Sequence, residues 1–346
     1  MKPDRLYLDH AATTPVVPAA REAVVDALER WANPSSPHGE GRAARAALEA
    51  ARGRIGKALG WDGEILFTSG ASEAIALALN GFDSVASAVE HDAVLAAAGD
   101  ETRLSVDANG NVQLGKIAKG RRYAIQQVNN ETGVIQPLAE LGAAIRESGG
   151  LLVADCSQGA GKLSLPDADI IILSAHKLGG PPGLGALLVK DLALLRPTGG
   201  QEKGYRRGTE NLPAVAGLAA ALEAGFGWLD DAARLRAKLD MAIEAAGGEV
   251  VAKAAPRLAT IGSYRMPEIS ASSQLIAFDL AGISVSAGSA CSSGTLKASH
   301  VLTAMGWDAK AAGEVVRVSF GPLTSEDDIE RFMAAWKAIR ERAQAA

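Results

Sequence analysis

The chain has 346 residues, 48% of them apolar and 22% charged, enough to bury a sizeable core in one large unit with a smaller companion or in two comparable ones. A formal net charge of -5 gives no electrostatic ground for nucleic acid or an anionic membrane surface as a partner. The only two cysteines, Cys156 and Cys291, exclude a disulfide framework or a four-thiolate zinc site within one chain.

Met1-Lys2-Pro3-Asp4-Arg5 leads straight into sequence that reads as folded, without the apolar stretch of a secretion signal or a bilayer span. A cytoplasmic protein is the expectation. From about Ile65 to Val189, short apolar runs alternate with helical patterns. Ile65–Thr68, Tyr123–Ile125, Leu151–Ala154 and Ile170–Leu173 are apolar throughout, as strands buried on both faces are. Leu138 to Glu147 has helical spacing and is closed by Gly149-Gly150. Strand, helix, strand, helix predicts an α/β unit with a mostly parallel sheet flanked by helices, whose ligands gather at the carboxyl ends of the strands. A long Ala/Leu-rich helix is predicted from roughly Pro213 to Leu229. Beyond it the chain reads as a smaller α+β unit, with strand candidates at Gln274–Phe278 and Val315–Val318.

The residues suited to chemistry fall at the ends of these strands. Ser174-Ala175-His176-Lys177 follows one of them and runs into Leu178-Gly179-Gly180-Pro181-Pro182-Gly183. A charged residue at a strand end more often points to solvent. A lysine beside a Gly/Pro-rich turn is also placed to form a Schiff base with an aldehyde cofactor while its neighbours bind phosphate. Asp155 ends the Leu151–Ala154 strand, with Gln158 three residues on. It reads equally well as a helix N-cap or, paired with the lysine, as the acid partner of a pyridine nitrogen. Thr68-Ser69-Gly70-Ala71-Ser72-Glu73 runs from a strand through small residues into a helix, whose free N–H groups suit phosphate, though such loops are common. Glu90-His91 follows the candidate strand Ser84–Ser87; a lone histidine is more often structural than stacked on a ring. Cys291 lies in the Gly/Ser-rich run Ser286–Gly294, the setting of an exposed, mobile nucleophile. Cys156, beside a buried strand, reads as packing.

Taken together, these segments resemble the cysteine desulfurases, a branch of the aspartate-aminotransferase-like (fold-type I) pyridoxal-phosphate enzymes. The resemblance runs nearly end to end. It covers Tyr7–Pro15, Asn33–His38, Val128–Gly133, Ser174–Lys177, Arg206–Asn211, Ser289-Ala290-Cys291 and Arg317–Gly321. It implies a cofactor-binding unit over 14–229 and a smaller unit from 1–13 with 230–346 that carries the nucleophile loop. It implies that Lys177 is the Schiff-base lysine of pyridoxal 5'-phosphate and that His91 stacks on the ring. Asp155 would meet the pyridine nitrogen, Gln158 and Asn130 the ring substituents, and Ala71, Ser72, Ser174 and His176 the phosphate. Arg317 would bind the substrate carboxylate, with Asn33 near it. Thr209 would reach the cofactor of the other subunit, which implies a homodimer. The implied reaction turns L-cysteine into L-alanine and a Cys291 persulfide, passed to a sulfur acceptor or cluster scaffold protein, commonly for iron–sulfur cluster assembly.

Three features depart from the pattern. Cys156 stands where Ala or Thr is usual, Glu73-Ala74-Ile75 lacks a polar residue, and the chain is short for this group, which suggests a trimmed C-terminal docking region. An aminotransferase or selenocysteine lyase of the same fold shares the lysine, aspartate and phosphate residues, so Cys291 and its loop discriminate. A non-catalytic scaffold relative would be expected to have lost Lys177 or Cys291, and both are present.

Overall fold

The computed structural model describes residues 5–99, 103–290, 296–297 and 299–344. A seven-stranded sheet runs in the order Glu64–Thr68, Gly185–Val189, Ile170–Ser174, Leu151–Asp155, Arg122–Ala124, Ser84–Ser87, Arg103–Leu104. Gly185–Val189 pairs antiparallel with both neighbours, and every pairing from Ile170–Ser174 outward is parallel. Such a sheet must be covered on both faces, and the unalternating apolar runs supply the side chains for that. Within one strand, Ile171 and Leu173 enter one core while Ile170 and Ile172 enter the other. The first core is closed by helices Gly39–Leu59, Leu138–Glu147 and Leu212–Ala224, the second chiefly by Ala71–Leu79. Cys156 is fully buried in the first core, the packing role its position suggested.

Two expectations need correction. The helix expected over Pro213 to Leu229 stops at Ala224, because Gly225 takes a positive φ of 76° there; a second helix, Leu229–Ala245, follows. The strand expected at Gln274–Phe278 is part of the helix Ala271–Leu280. Ser270 caps that helix by accepting from the Ser273 N–H, and the apolar run divides around its circumference. Phe278 is buried, whereas Ile276 is 64% exposed. Five consecutive mostly apolar residues fit a strand or a helix equally well, and the capping serine decides.

The second sheet has three strands, Val315–Ser319, Ile261–Arg265 and Glu249–Val250, all antiparallel. Its core stacks Phe278 on Phe332, with Trp336 tilted against Phe332. The N-terminal segment connects the two sheets. Leu6–Tyr7 pairs with Ile283–Ser284, and Asp9 bridges to Ser319 in the small sheet. A few residues on, the Thr14 N–H donates to the His176 carbonyl at 2.8 Å and the Val17 N–H to that of Gly179 at 2.9 Å, at the end of a large-sheet strand. Among the described residues no single helix is long and apolar enough to cross a membrane.

Candidate active site

The carboxyl ends of the parallel strands open into a cavity of about 890 Å3, which Arg317 of the small sheet also lines. Parallel strands point their last residues to one rim, which is why positions far apart in sequence meet there.

Lys177 is brought in by the strand Ile170–Ser174 and the single 3-10 turn Ala175–Lys177 that follows. Gly179, at φ 78°, lets the chain reverse at once, and the Gly180 N–H returns to the Ala175 carbonyl. Burial lowers the Lys177 pKa; Asp155 opposes that shift and Arg317 adds to it. Asp155 ends the neighbouring strand, where Oδ1 accepts the Ser157 N–H at 2.9 Å. No helix follows it, so its alternative reading as an N-cap falls away. His91 does cap a helix: its Nδ1 accepts the Ala93 N–H at 3.1 Å, which places the ring proton on Nε2 when the imidazole is neutral. Burial first, then the Lys177 charge, lower its pKa and favour that neutral form. Ala71 and Ser72 open the helix Ala71–Leu79 with first-turn N–H groups that lack intrahelical acceptors. Ser174 and His176 complete that side, with His176 Nδ1 3.2 Å from Thr13 Oγ1.

From the small sheet comes Arg317. Its guanidinium donates to Asp9 Oδ1 at 2.6 Å and to the Asn130 carbonyl at 2.9 Å, while its buried Nε has no partner. Asp9 had no role in the sequence reading, although its segment carried the resemblance; only the fold reveals that it faces Arg317. The same holds for Glu131, which is buried and accepts a hydrogen bond from Ser299 Oγ at 2.6 Å. Glu90 is also buried: Ser87 Oγ and the Gln126 N–H both donate to its Oε1, and burial pushes its pKa up to about 8.

The structure therefore gathers Lys177, His91, Asp155, Asn130, Ala71, Ser72, Ser174, His176 and Arg317 around one cavity. Three expected residues do not line it. Gln158 lies behind Ala11, donating to that residue's carbonyl at 2.8 Å and leaving a buried Oε1 without a partner. Asn33 is exposed, and its side chain accepts the Ser35 N–H at 2.8 Å, so its predicted place near Arg317 is not found within one chain. Thr209 is exposed and outside the cavity. Cys291 lies outside the described residues. The stems of its loop border the cavity: the Ser286 backbone bridges to Arg317, and Ser289–Ala290 pairs with Leu296–Lys297.

The residues present suit pyridoxal phosphate. A Cβ on Gly185 would fall 2.4 Å from the Gly70 carbonyl carbon and 2.8 Å from the Ala71 nitrogen, so glycine lets the strand end press directly on the anion-binding turn. The partly buried Lys177 amine, on the turn after one strand, and the Asp155 carboxylate, at the end of the adjacent strand, both line the same rim.

Comparison with known proteins agrees with this arrangement. The family model Aminotransferase class-V matches residues 6–332. The chain is 34% identical to a cysteine desulfurase of Cereibacter sphaeroides, over 99% of this chain and 97% of that protein. Among solved structures, a NifS-like protein from Rickettsia africae ESF-5 superposes with a TM-score of 0.89 at 30% identity, over 97% of this chain and 99% of that one. SspA in complex with cysteine gives a TM-score of 0.79 at 29% identity, over 92% and 100%. The chain belongs to the class-V aminotransferase family, in its cysteine desulfurase branch.

Proposed function

We propose that the chain converts L-cysteine to L-alanine and transfers the sulfur, as a persulfide on Cys291, to an acceptor protein. The observation that carries this reading is the convergence of a desolvated Lys177, Asp155 and Arg317 on one cavity bordered by the stems of a cysteine-bearing loop.

Pyridoxal phosphate, when bound, supplies an electron sink for the pair released at the substrate carbon. Lys177 and Asp155 would hold its aldehyde carbon and ring nitrogen, His91 its ring face, and Ala71, Ser72, Ser174 and His176 its phosphate. Arg317 fixes the substrate through its carboxylate, using the Nε–H left without a partner. Lys177, whose burial favours the neutral amine, takes the proton from the substrate α-carbon and returns one later. The Cys291 thiolate attacks the substrate sulfur: an S–S bond forms, the C–S bond breaks, and its electron pair stays on carbon, where it is protonated to give alanine. The sulfur goes on to an acceptor in iron–sulfur cluster assembly. The working form is a cytoplasmic homodimer, in which Thr209 faces the partner's site. Exposed Val25, Leu28 and Trp31 on and just after the helix Pro18–Leu28 offer apolar surface for such a contact.

Absorbance spectra with and without L-cysteine test this on wild type, Lys177→Ala and Cys291→Ala. Wild type should show a visible band that cysteine perturbs, Lys177→Ala should lack its normal form, and Cys291→Ala should keep the band but transfer no sulfur. A wild type that takes up no pyridoxal phosphate, or a Cys291→Ala variant that still loads an acceptor, would overturn the reading.

A further inference from the structure

Lys162 is a cation the proposed mechanism does not use. It lies on the turn that follows Asp155, where Lys162 N–H and Leu163 N–H both return to the Gly159 carbonyl. Its ammonium donates to the Gln158 carbonyl at 3.2 Å and to the Lys177 carbonyl at 3.4 Å. Among the described residues it makes no ion pair with any carboxylate. The Lys177 carbonyl also accepts from Thr14 Oγ1 at 3.3 Å, so two donors from distant segments converge on that one oxygen. A partly buried amine that answers two main-chain carbonyls and no counter-ion is an expensive arrangement, and burial lowers its pKa to about 8, with the Lys177 charge second. Its own charge acts on a neighbour in turn: His10, whose pKa is lowered to about 4 chiefly by burial, feels Lys162 as the next cause.

We propose that Lys162 is a positioning residue: its ammonium ties the backbone of Lys177 to the turn after Asp155 and disfavours a second positive charge on the Lys177 side chain. The geometry explains why a cation is placed there. Asp155 ends one strand and Lys177 lies on the 3-10 turn after its neighbour, and the two must keep a fixed mutual distance to hold one ring although irregular backbone follows both. Lys162 bonds to one main-chain carbonyl in each of those two turns. The inference rests on the functional reading above, since it concerns the lysine assigned to the cofactor.

The charged and titratable groups that interact electrostatically with the Lys177 side chain are Asp155, Arg317, His91, His176 and Lys162. The test is a pH titration of the visible absorption band of the cofactor-loaded protein without substrate, for wild type, Lys162→Met and Lys162→Arg, with thermal unfolding of each. Removing the cation should raise the midpoint of the band's change of form by about one pH unit, the usual effect of a nearby like charge. Lys162→Arg, which keeps the charge, should restore the wild-type midpoint. Equal midpoints in wild type and Lys162→Met, with only a lower melting temperature, would reduce Lys162 to a structural residue and refute the inference alone. A Lys162→Arg midpoint that follows Lys162→Met would refute the electrostatic part. Failure of the wild type to take up pyridoxal phosphate would sink the functional reading with it.

Discussion

Replacing Arg317 by alanine probes how the small sheet contributes to the site. The substitution removes the donors to Asp9 Oδ1 at 2.6 Å and to the Asn130 carbonyl at 2.9 Å, together with the free Nε–H. The Arg317 side chain is only 7% exposed and that of Asp9 20%, so neither charge is screened as a surface group would be. Loss of a desolvated guanidinium from a substrate carboxylate costs about 3 kcal/mol, which corresponds to a fall in kcat/KM of roughly 150-fold. The same change strands Asp9 without its counter-charge, so thermal stability also drops. The double variant Asp9→Ala/Arg317→Ala separates the two effects. It should recover much of the melting temperature while kcat/KM for L-cysteine, read from alanine formation, stays low. A single variant within threefold of wild type, or a double variant that regains activity as well as stability, would refute the assignment of Arg317 to the substrate.

Gly185→Ala should weaken pyridoxal phosphate binding by about tenfold or more, since its Cβ cannot lie 2.4 Å from the Gly70 carbonyl carbon without moving the turn that opens the phosphate-side helix. Equilibrium dialysis measures it, and an unchanged affinity would disconnect that turn from the cofactor. Glu90→Gln addresses the buried acid whose pKa rises to about 8 from an ordinary 4.5. The native state then holds a proton that the unfolded state has lost, so the stabilising contribution, complete below about 4.5, disappears as pH climbs through about 8. The glutamine variant should lose less melting temperature than wild type between pH 6 and pH 8.5, and parallel curves would show that Glu90 does not titrate there.

Much of the large sheet was legible because a strand buried on both faces has a distinctive pattern. Leu138–Glu147 and Ser84–Ser87 coincide with the elements read from the sequence, and the positions of Lys177 and Asp155 follow once those strand ends are known. The helix Ala271–Leu280 was misread because an apolar run of five carries no period of its own. Asp9, Glu131 and Lys162 were invisible as functional candidates for a different reason. Asp9 and Glu131 act on residues far away in the chain, and a carboxylate 308 positions before its arginine leaves no local signature; Lys162 answers main-chain carbonyls, which residue type does not announce. Gln158 and Asn33 have residue types that suit a ligand, but the side chain of Gln158 is taken by the Ala11 carbonyl and that of Asn33 by the Ser35 N–H.

The N-terminal segment that links the two sheets also has a kinetic meaning. Leu6 and Tyr7 find their strand partners at Ile283 and Ser284, Asp9 finds its own at Ser319, and Thr14 then fastens the backbone of His176 and Lys177. Contacts of such long sequence separation close late, because loop entropy must be met before they form. During synthesis the large sheet is complete in sequence by Val189, well before Ile283 and Ser319 are made. Thr14 can reach the lysine turn once residues up to Gly179 are made, whereas the pairing of Leu6–Tyr7 and Asp9, on the Arg317 side of the pocket, waits for residues up to Ser319.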